Sequence, residues 1–271
     1  MPNISTSLGK YTTLKFWCLN LCAIQVLMAL SSAINTVAFA KTTSQDIEAS
    51  KLLHRADRIR FPDEGFQVDV TINTTKDSSA TPEVRVYRII SKGNDKTLVK
   101  TISPAIDRNQ VLLMRDHDFW AFLPNLSQPI RLPLSQRLTG EVANGDLARS
   151  NFVGDYKPQL LRTETINGSS YHVLQLDAVD NWVTYHRVLY WVATEDARPY
   201  KAEFFAISGR LLKTAYYQKF HKLGDEIRPT RIRIEDALKP ENFSTLDYSD
   251  MRILELPDKI FSKDYLKKLA P

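Results

Sequence analysis

From residue 66 onward, apolar and polar residues alternate along the chain with a period of two. In the stretch FQVDVTIN, every second residue is apolar and the residues between are polar. Successive side chains of a β-strand point to opposite faces of the sheet, so this alternation predicts a half-buried antiparallel strand. The side chains that would face the core are Phe66, Val68, Val70 and Ile72.

Ten further runs of similar character follow, and turn residues such as Asn167-Gly168 and Ser208-Gly209 separate them. Many short strands with turns between them are typical of all-β folds. The sequence therefore predicts a mainly β fold with one large antiparallel sheet that follows the order of the chain. The ten runs are 84–90, 96–102, 111–114, 119–123, 171–178, 183–192, 200–207, 211–220, 227–235 and 243–251.

Three segments depart from this pattern. Residues 45–60 have helical spacing, with Ser44 as a plausible N-cap and Phe61-Pro62 as a stop. Residues 135–156 contain several glycines and little periodicity, which predicts a loop with short helical turns. Residues 259–269 predict a short amphipathic helix. The apolar face of the first helix would consist of Ile47, Leu52, Ala56 and Ile59.

A long, strongly twisted sheet tends to curl, and the apolar face inside the curl has to be covered. Residues 45–60 and 135–156 are the available covers, and both are small for such a sheet. A sheet curled around too little protein encloses an apolar cavity, which is how large barrels hold ligands. Strand physics alone leaves a filled core and an apolar cavity equally open.

The first 40 residues have the pattern of a targeting segment. Lys10 and Lys15 precede an apolar stretch from 16 to 33, and Ala38-Phe39-Ala40 is a small-x-small cleavage pattern. We therefore predict a signal peptide over 1–40, cleavage after Ala40, and a single domain over 41–271. The alternative is an uncleaved membrane anchor, for which the apolar stretch is only marginally long enough.

Both cysteines, Cys18 and Cys22, lie within the predicted signal peptide. The mature chain would then have no disulfide, cysteine metal site or lipidated cysteine. The formal net charge of the whole chain is +5, and it falls to +3 without the two lysines of the predicted signal peptide. This charge is too mild to indicate nucleic-acid binding without a basic block. We expect an exported protein of a bacterial periplasm.

The stretch RDHDFWAFLP, at 115–124, is open to two interpretations. Asp116-His117-Asp118 could bind a metal, or it could form the turn between two strands. Aspartate stabilises turns, and neighbouring strand residues point to opposite faces, so these three side chains would not easily converge on one ion. The turn is the favoured interpretation.

Catalytic motifs are missing from the sequence. His172 and His186 could meet on paired strands, but strand histidines are more often cross-strand partners, and no metal-binding spacing occurs. The chain has no G-x-S-x-G motif, no Gly-rich phosphate loop and no cysteine beyond the predicted signal peptide. We therefore predict that the protein is not an enzyme and needs no cofactor or metal.

At this point the chain resembles a known family. The segments LLMRDHDFWAFLP, PIRLPLSQRLTGEVANGDLARSNFVGDYKPQLL, YKAEFFAISGRLLKTAYYQKF, RPTRIRIEDAL and LPDKIFSKDYLKKL resemble the outer membrane lipoprotein-sorting protein family of the LolA/LolB-like superfamily. The resemblance covers about 46–269, and the segment 144–156 is especially specific. Ala121 and Phe122 depart from the usual family residues, which puts the shape of the cavity in doubt.

The resemblance implies an incomplete, strongly curved antiparallel β-barrel closed by one or two helices around a cavity for acyl chains. It also implies a periplasmic carrier of lipoprotein or lipid, with an inner-membrane transporter of the resistance-nodulation-division type as a possible partner. Related carriers latch their lid with an arginine, for which Arg115, Arg131, Arg137 and Arg149 are all candidates.

We therefore expect a carrier that binds acyl chains, moves them toward the outer membrane and contacts membranes transiently. Its lid would be 45–60 and 135–156, and charged substitutions at Val70, Trp120 or Phe204 would weaken lipid binding. The alternative is an adaptor subunit of an envelope transporter with a filled core. The candidate lipid-binding residues are Phe66, Val68, Val70, Ile72, Trp120, Phe122, Leu174, Leu176, Phe204 and Tyr216.

Overall fold

The computed structural model describes residues 45–76, 81–124, 126–149 and 151–269. The predicted signal peptide and its cleavage site lie outside these residues. Among the described residues, no helix has the length and apolar character needed to cross a membrane. Residues 48–271 form one compact unit, and the unit 1–47 lies almost entirely outside the described residues.

The chain folds mainly into antiparallel strands, as the period-two runs predict. Most strands are longer than the runs, because polar residues at the strand ends continue the hydrogen-bonded ladders. Their bounds are β1 Phe66–Thr75, β2 Glu83–Lys92, β3 Lys96–Ser103, β4 Val111–Arg115, β5 Asp118–Phe122, β6 Ile130–Arg131, β7 Arg137–Thr139, β8 Val142–Ala143, β9 Tyr156–Ile166, β10 Ser169–Ala178, β11 Arg187–Ala193, β12 Pro199–Phe205, β13 Leu211–Leu223, β14 Glu226–Asp236 and β15 Phe243–Ile253.

Thirteen of these strands form one sheet, in the order β6-β5-β4-β3-β2-β1-β15-β14-β13-β12-β11-β10-β9. The first strand pairs with the last, since Val70 of β1 lies opposite Tyr248 of β15. The two edge strands, β6 and β9, do not pair with each other, so the sheet is not closed into a barrel. The predicted large, open antiparallel sheet is confirmed.

The sequence pattern failed at the open edge of this sheet. Strand β9 was missed because it is an edge strand with mostly exposed side chains, so apolar alternation is weak. The run 183–192 begins too early, since Val183 and Tyr185 alternate like strand residues but precede β11. The predicted loop 135–156 contains the small β7–β8 hairpin as well as a helix, α2 (Asn144–Ala148).

Helix α1 spans 45–60 among the described residues. Its buried face belongs to the main apolar cluster of the sheet and consists of Ala49, Leu52, Leu53 and Ala56. The predicted face was therefore wrong at one end, because Ile47 is 51% exposed. At the other end of α1, the Arg228 guanidinium from β14 donates to the carbonyl of Arg58. A cation is favourable there because the last carbonyl groups of a helix have no hydrogen-bond donor within the helix.

One face of the long strands contributes to a single apolar cluster, and we call this the inner face. It includes Val70 of β1, Phe119 of β5, Tyr190 of β11 and Leu246 of β15. Since strands from both halves of the sheet meet in this cluster, the sheet curls around it. A smaller cluster lies on the opposite, outer face, where a 3-10 helix (Asp258–Phe261) and α3 (Lys263–Leu269) pack on β3–β5.

Candidate functional site

The inner face of the sheet is covered by α1 and by residues 135–156, which we call the cover segment. In chain order the cover segment lies between the two edge strands. Its packing is close: a Cβ added at Gly145 would lie 1.9 Å from Thr184 Oγ1, and one at Gly140 would lie 2.3 Å from Thr74 Oγ1. Glycine is required at these contacts because a larger residue would push the segment away from Thr184 and Thr74.

Asp57 of α1 joins the two parts of the cover. Its carboxylate accepts hydrogen bonds from the backbone N–H groups of Phe152, at 2.6 Å, and Val153, at 2.8 Å. The same carboxylate pairs with Arg60 at 3.2 Å. Burial raises the pKa of the Asp57 carboxyl to about 6, although Arg60 and the two backbone N–H groups act to lower it. A buried charged group thus holds the helix to the cover segment.

Arg60 is also buried, with 6% of its surface exposed. Its guanidinium lies 4.5 Å from the centre of the Phe152 ring and 5.4 Å from that of Tyr217. Cations over aromatic faces are attracted by the ring quadrupole, and the attraction grows when water is excluded. Arg60 therefore connects α1 both to the cover segment and to strand β13.

A second ion pair holds α2 to the sheet. The Lys213 ammonium of β13 pairs with Asp146 and donates to the Glu141 carbonyl at 3.0 Å. The other oxygen of Asp146 accepts from the Tyr185 hydroxyl at 2.7 Å. Burial, together with the nearby Asp146 charge, raises the pKa of Tyr185 well above its usual value. The hydroxyl therefore stays protonated and keeps its role as a donor.

A third ion pair lies at the end of the cover segment. Arg149 pairs with Asp155, and both side chains are almost fully buried. The Arg149 guanidinium also donates to the Asp116 carbonyl at 2.6 Å and lies 4.5 Å from the centre of the Trp182 ring. Burial raises the pKa of Asp155, while Arg149 acts to lower it. Arg149 therefore fastens the cover segment to the β4–β5 turn, and Asp155, in the same segment, balances its charge.

Among the described residues, the cavity that is lined by both α1 and the cover segment is small. Its volume is about 40 Å³. Such a space holds about one water molecule, whereas ligand pockets usually measure about 300–1,000 Å³. Its walls combine apolar strand residues with the buried ions, and they include Arg60, Asp146, Phe204, Ala215, Tyr217, Ile232, Ile234, Leu246 and Tyr248. The structure therefore shows the covered state of the inner face.

Seven of the ten predicted lipid-binding residues lie on the inner face. Among these, Phe204 lines the cavity itself. The other six are buried in the surrounding cluster: Phe66, Val68, Val70, Ile72, Leu174 and Leu176.

The other three predicted residues point away from the inner face. Trp120 and Phe122 belong to the outer cluster, and the Lys263 ammonium lies 3.8 Å from the centre of the Trp120 ring. Tyr216 is outside the inner cluster, which its neighbour Tyr217 joins. The prediction for Trp120 and Phe122 is corrected here. Strand β5 is apolar on both faces, and α3 packs on the face that carries these two residues. In β13, the sequence does not indicate which of the adjacent Tyr216 and Tyr217 faces inward.

The four candidate latch arginines differ sharply in the structure. Arg115, Arg131 and Arg137 have side chains that are 53%, 71% and 64% exposed, whereas Arg149 is 7% exposed. Sequence reasoning missed Arg60, because the charged residues of an amphipathic helix usually lie on its solvent-facing side. The i,i+3 spacing of Asp57 and Arg60 was the one available signal.

The motif RDHD forms a turn, as predicted. Arg115 of β4 pairs with Asp118 of β5, so Asp116 and His117 make a two-residue hairpin turn, with Asp116 at a φ of 55°. Within the described residues, no group of three or more His, Cys, Asp or Glu is placed to hold a metal ion. His172 Nδ1 lies 3.2 Å from the Thr163 hydroxyl of β9, which is its cross-strand partner.

An open antiparallel sheet with an apolar inner face and a helical cover defines a class of β-rich folds, and solved structures show the same arrangement. A LolA superfamily protein from Nitrosomonas europaea is 54% identical, with a TM-score of 0.76, over 80% of this chain and 98% of that one. A putative outer membrane lipoprotein-sorting protein domain from Vibrio parahaemolyticus has a TM-score of 0.70 at 22% identity, over 82% and 99%. The second likeness concerns the fold alone.

The chain belongs to the LolA superfamily, as its identity with the Nitrosomonas protein shows. The family model that matches residues 93–268 describes an uncharacterized protein, so this match adds no activity. Among curated proteins, no sequence matches the chain.

Proposed function

We propose that this protein is a periplasmic carrier that binds the acyl chains of a lipoprotein or lipid between the inner face and its cover. The observation that carries the proposal is the way the cover is held. Apolar strands form the inner face, while buried ionic groups hold the cover. Lys213 of β13 pairs with Asp146 of α2, Asp57 joins α1 to the cover segment, and Arg149, paired with Asp155, donates to the β4–β5 turn. The predicted signal peptide and the LolA superfamily fold support an exported carrier.

Ion pairs suit a cover that has to open. Taking two charges out of water costs several kcal/mol per ion, and their attraction in the interior roughly offsets that cost. When the cover opens, the ions regain water, so the opening cost is smaller than for a purely apolar contact. Buried acyl chains would then supply about 0.8 kcal/mol for each CH₂ group moved out of water. From a membrane rather than water, the gain is much closer to zero.

The small volume of the cavity favours a second candidate function. An adaptor subunit of a transporter of the resistance-nodulation-division type, with a filled core and no ligand, would also show about 40 Å³ of free space. The two candidates differ in whether the cover moves. The carrier must displace α1 or the cover segment before an acyl chain fits, and the adaptor has no such need.

The test is binding of a fluorescent fatty acid to the mature protein, together with native mass spectrometry of protein purified from its own envelope. We expect saturable binding and a co-purifying apolar molecule at a fixed ratio. Phe204→Asp should weaken binding severalfold, whereas the matched control Phe205→Asp should not, because Phe205 lies outside the inner cluster, under the Arg187 guanidinium.

A charged group at 204 could unfold the protein, so Phe204→Trp provides a second variant. Its larger ring would occupy the cavity without adding charge, and it too should weaken binding. A folded wild-type protein that takes up no fatty acid and carries no apolar molecule would contradict the carrier and favour the adaptor.

A further inference from the structure

A second, larger pocket lies outside the cover. It measures about 520 Å³, which falls within the usual range for ligand pockets. The β9–β10 turn and the β11–β12 turn meet at this place, where Thr194 N–H donates to the Ser170 carbonyl at 3.0 Å. The residues that line the pocket are Gly168, Ser169, Ser170, Tyr171, Ala193, Thr194, Glu195, Asp196, Arg198, Pro199, Tyr200, Tyr217 and Phe220.

The lining of this pocket has two chemical characters. One part is aromatic, with Tyr171 and Tyr200 stacked at 4.6 Å between ring centres and Phe220 beneath the Arg198 guanidinium at 5.3 Å. The other part is polar and comes from the turns, where hydroxyl groups and backbone atoms are exposed. Arg198 pairs with Asp196 at 3.2 Å, and Glu195 adds a negative charge to the lining. Such a lining disfavours an anionic head and fits an amphiphile with an uncharged or zwitterionic head.

Tyr217 connects this pocket with the cavity beneath the cover, because it lines both. The residue is 6% exposed, and its ring centre lies 5.4 Å from the Arg60 guanidinium and 5.9 Å from the Tyr190 ring centre. Rotation of this one side chain away from its present position would therefore join a space of about 40 Å³ to one of about 520 Å³.

We propose that the pocket between the β9–β10 and β11–β12 turns is the entrance for a single-chain amphiphile, with Tyr217 as the gate. The acyl chain passes Tyr217 toward the inner cavity, and the polar head stays among the hydroxyl groups of the turns. The proposal rests on the proposed carrier function and adds a route to it. A lysophospholipid and an acylated peptide both have this chemistry.

The test measures the association rate of two fluorescent probes, a lysophosphatidylcholine and an acylated dipeptide amide, with the mature protein. Tyr217→Ala should raise the rate severalfold because the gate is removed. The matched control Tyr216→Ala should leave it unchanged, because Tyr216 is the adjacent tyrosine and lines neither space. Thermal unfolding would show that both variants are folded.

A second pair of variants tests the pocket without touching the gate. Ser170→Trp places a large ring in the pocket and should slow association severalfold. Ser208→Trp, at an exposed position of the β12–β13 turn that does not line the pocket, should not. If the Ser170→Trp variant associates with the probes at the wild-type rate, the entrance lies elsewhere. The same follows if the Tyr217→Ala variant associates no faster than the wild type. The carrier function stands in both cases. If neither probe binds the wild type, the carrier proposal itself fails. A preference for one probe identifies the head group.

Discussion

Asp57 shows how one buried residue makes the cover sensitive to pH. Its carboxylate holds two backbone N–H groups of the cover segment and pairs with Arg60. Burial raises its pKa to about 6 in the folded protein, from 3.8 in a solvated chain. The folded protein therefore binds this proton more tightly than the unfolded chain does. Stabilisation from the bound proton is fully present below about pH 4 and is lost as the pH rises to about 6.

Comparison with Asp57→Asn isolates this contribution. We expect the free energy of unfolding of the wild type, minus that of the variant, to fall as the pH rises from about 4 to about 6, and to be flat on either side. Urea unfolding at closely spaced pH values would measure it. A difference that rises with pH over this window would mean that Arg60 and the backbone N–H groups outweigh burial.

At the residue scale, the sequence predicted well which side chains are buried in strands that are apolar on one face only. Val68, Val70 and Ile72 are buried as their alternation requires. The same reasoning failed at Trp120, because β5 is apolar on both parities and a sequence does not show which face α3 covers. The buried ions were also missed, since Arg60 and Lys213 resemble solvated charges until the fold removes their water.

At the element scale, the cover segment is the part of the fold that sequence periodicity described least well. It has no long strand or helix, and its position depends on contacts with residues distant in the chain, such as Thr184 and Lys213. The long strands carry their own alternation and could be predicted without such contacts. What holds the cover segment is therefore visible only in the structure.

The ion pair between Lys213 and Asp146 should contribute more to the free energy of unfolding than the sequence suggests. Lys213→Met would leave the buried Asp146 carboxylate without its cation, which costs about 3–5 kcal/mol. Lys201→Met is the matched control, because Lys201 lies on the adjacent strand, pairs with Glu203 at 2.8 Å and keeps 20% of its side chain exposed, against 7% for Lys213. Glu203 stays in contact with water when its cation is removed, so this loss should be the smaller one.

Urea unfolding of the two variants would compare these costs directly. Adding Asp146→Asn to Lys213→Met should restore much of the lost stability, because it removes the uncompensated charge. Equal losses for Lys213→Met and Lys201→Met would contradict a structural role for the buried pair.

At the scale of the whole molecule, we expect the cover to open without unfolding the sheet. The N–H groups of Phe152 and Val153 are held by a single carboxylate, whereas those of β1 lie in a ladder between β2 and β15. Segments with few cooperative contacts open at free energies below that of global unfolding. Hydrogen exchange should therefore be faster in 151–155 than in Phe66–Thr75.

Mass spectrometry of peptides from the exchanged protein would test this order. Lys213→Met should accelerate exchange in the cover segment, in excess of any change in β1. Identical protection of the two regions would mean that cover and sheet unfold together, which a carrier could not tolerate.

The unpaired edges of the sheet have a consequence for the size of the molecule that the proposed carrier could hold. In a closed barrel, the strand number and stagger fix the diameter, so widening it would break a whole ladder of backbone hydrogen bonds. Here no ladder joins β6 to β9, and the chain between them is the cover segment. The circumference of the sheet is consequently adjustable, and β6 and β9 can move apart while every strand keeps its neighbours.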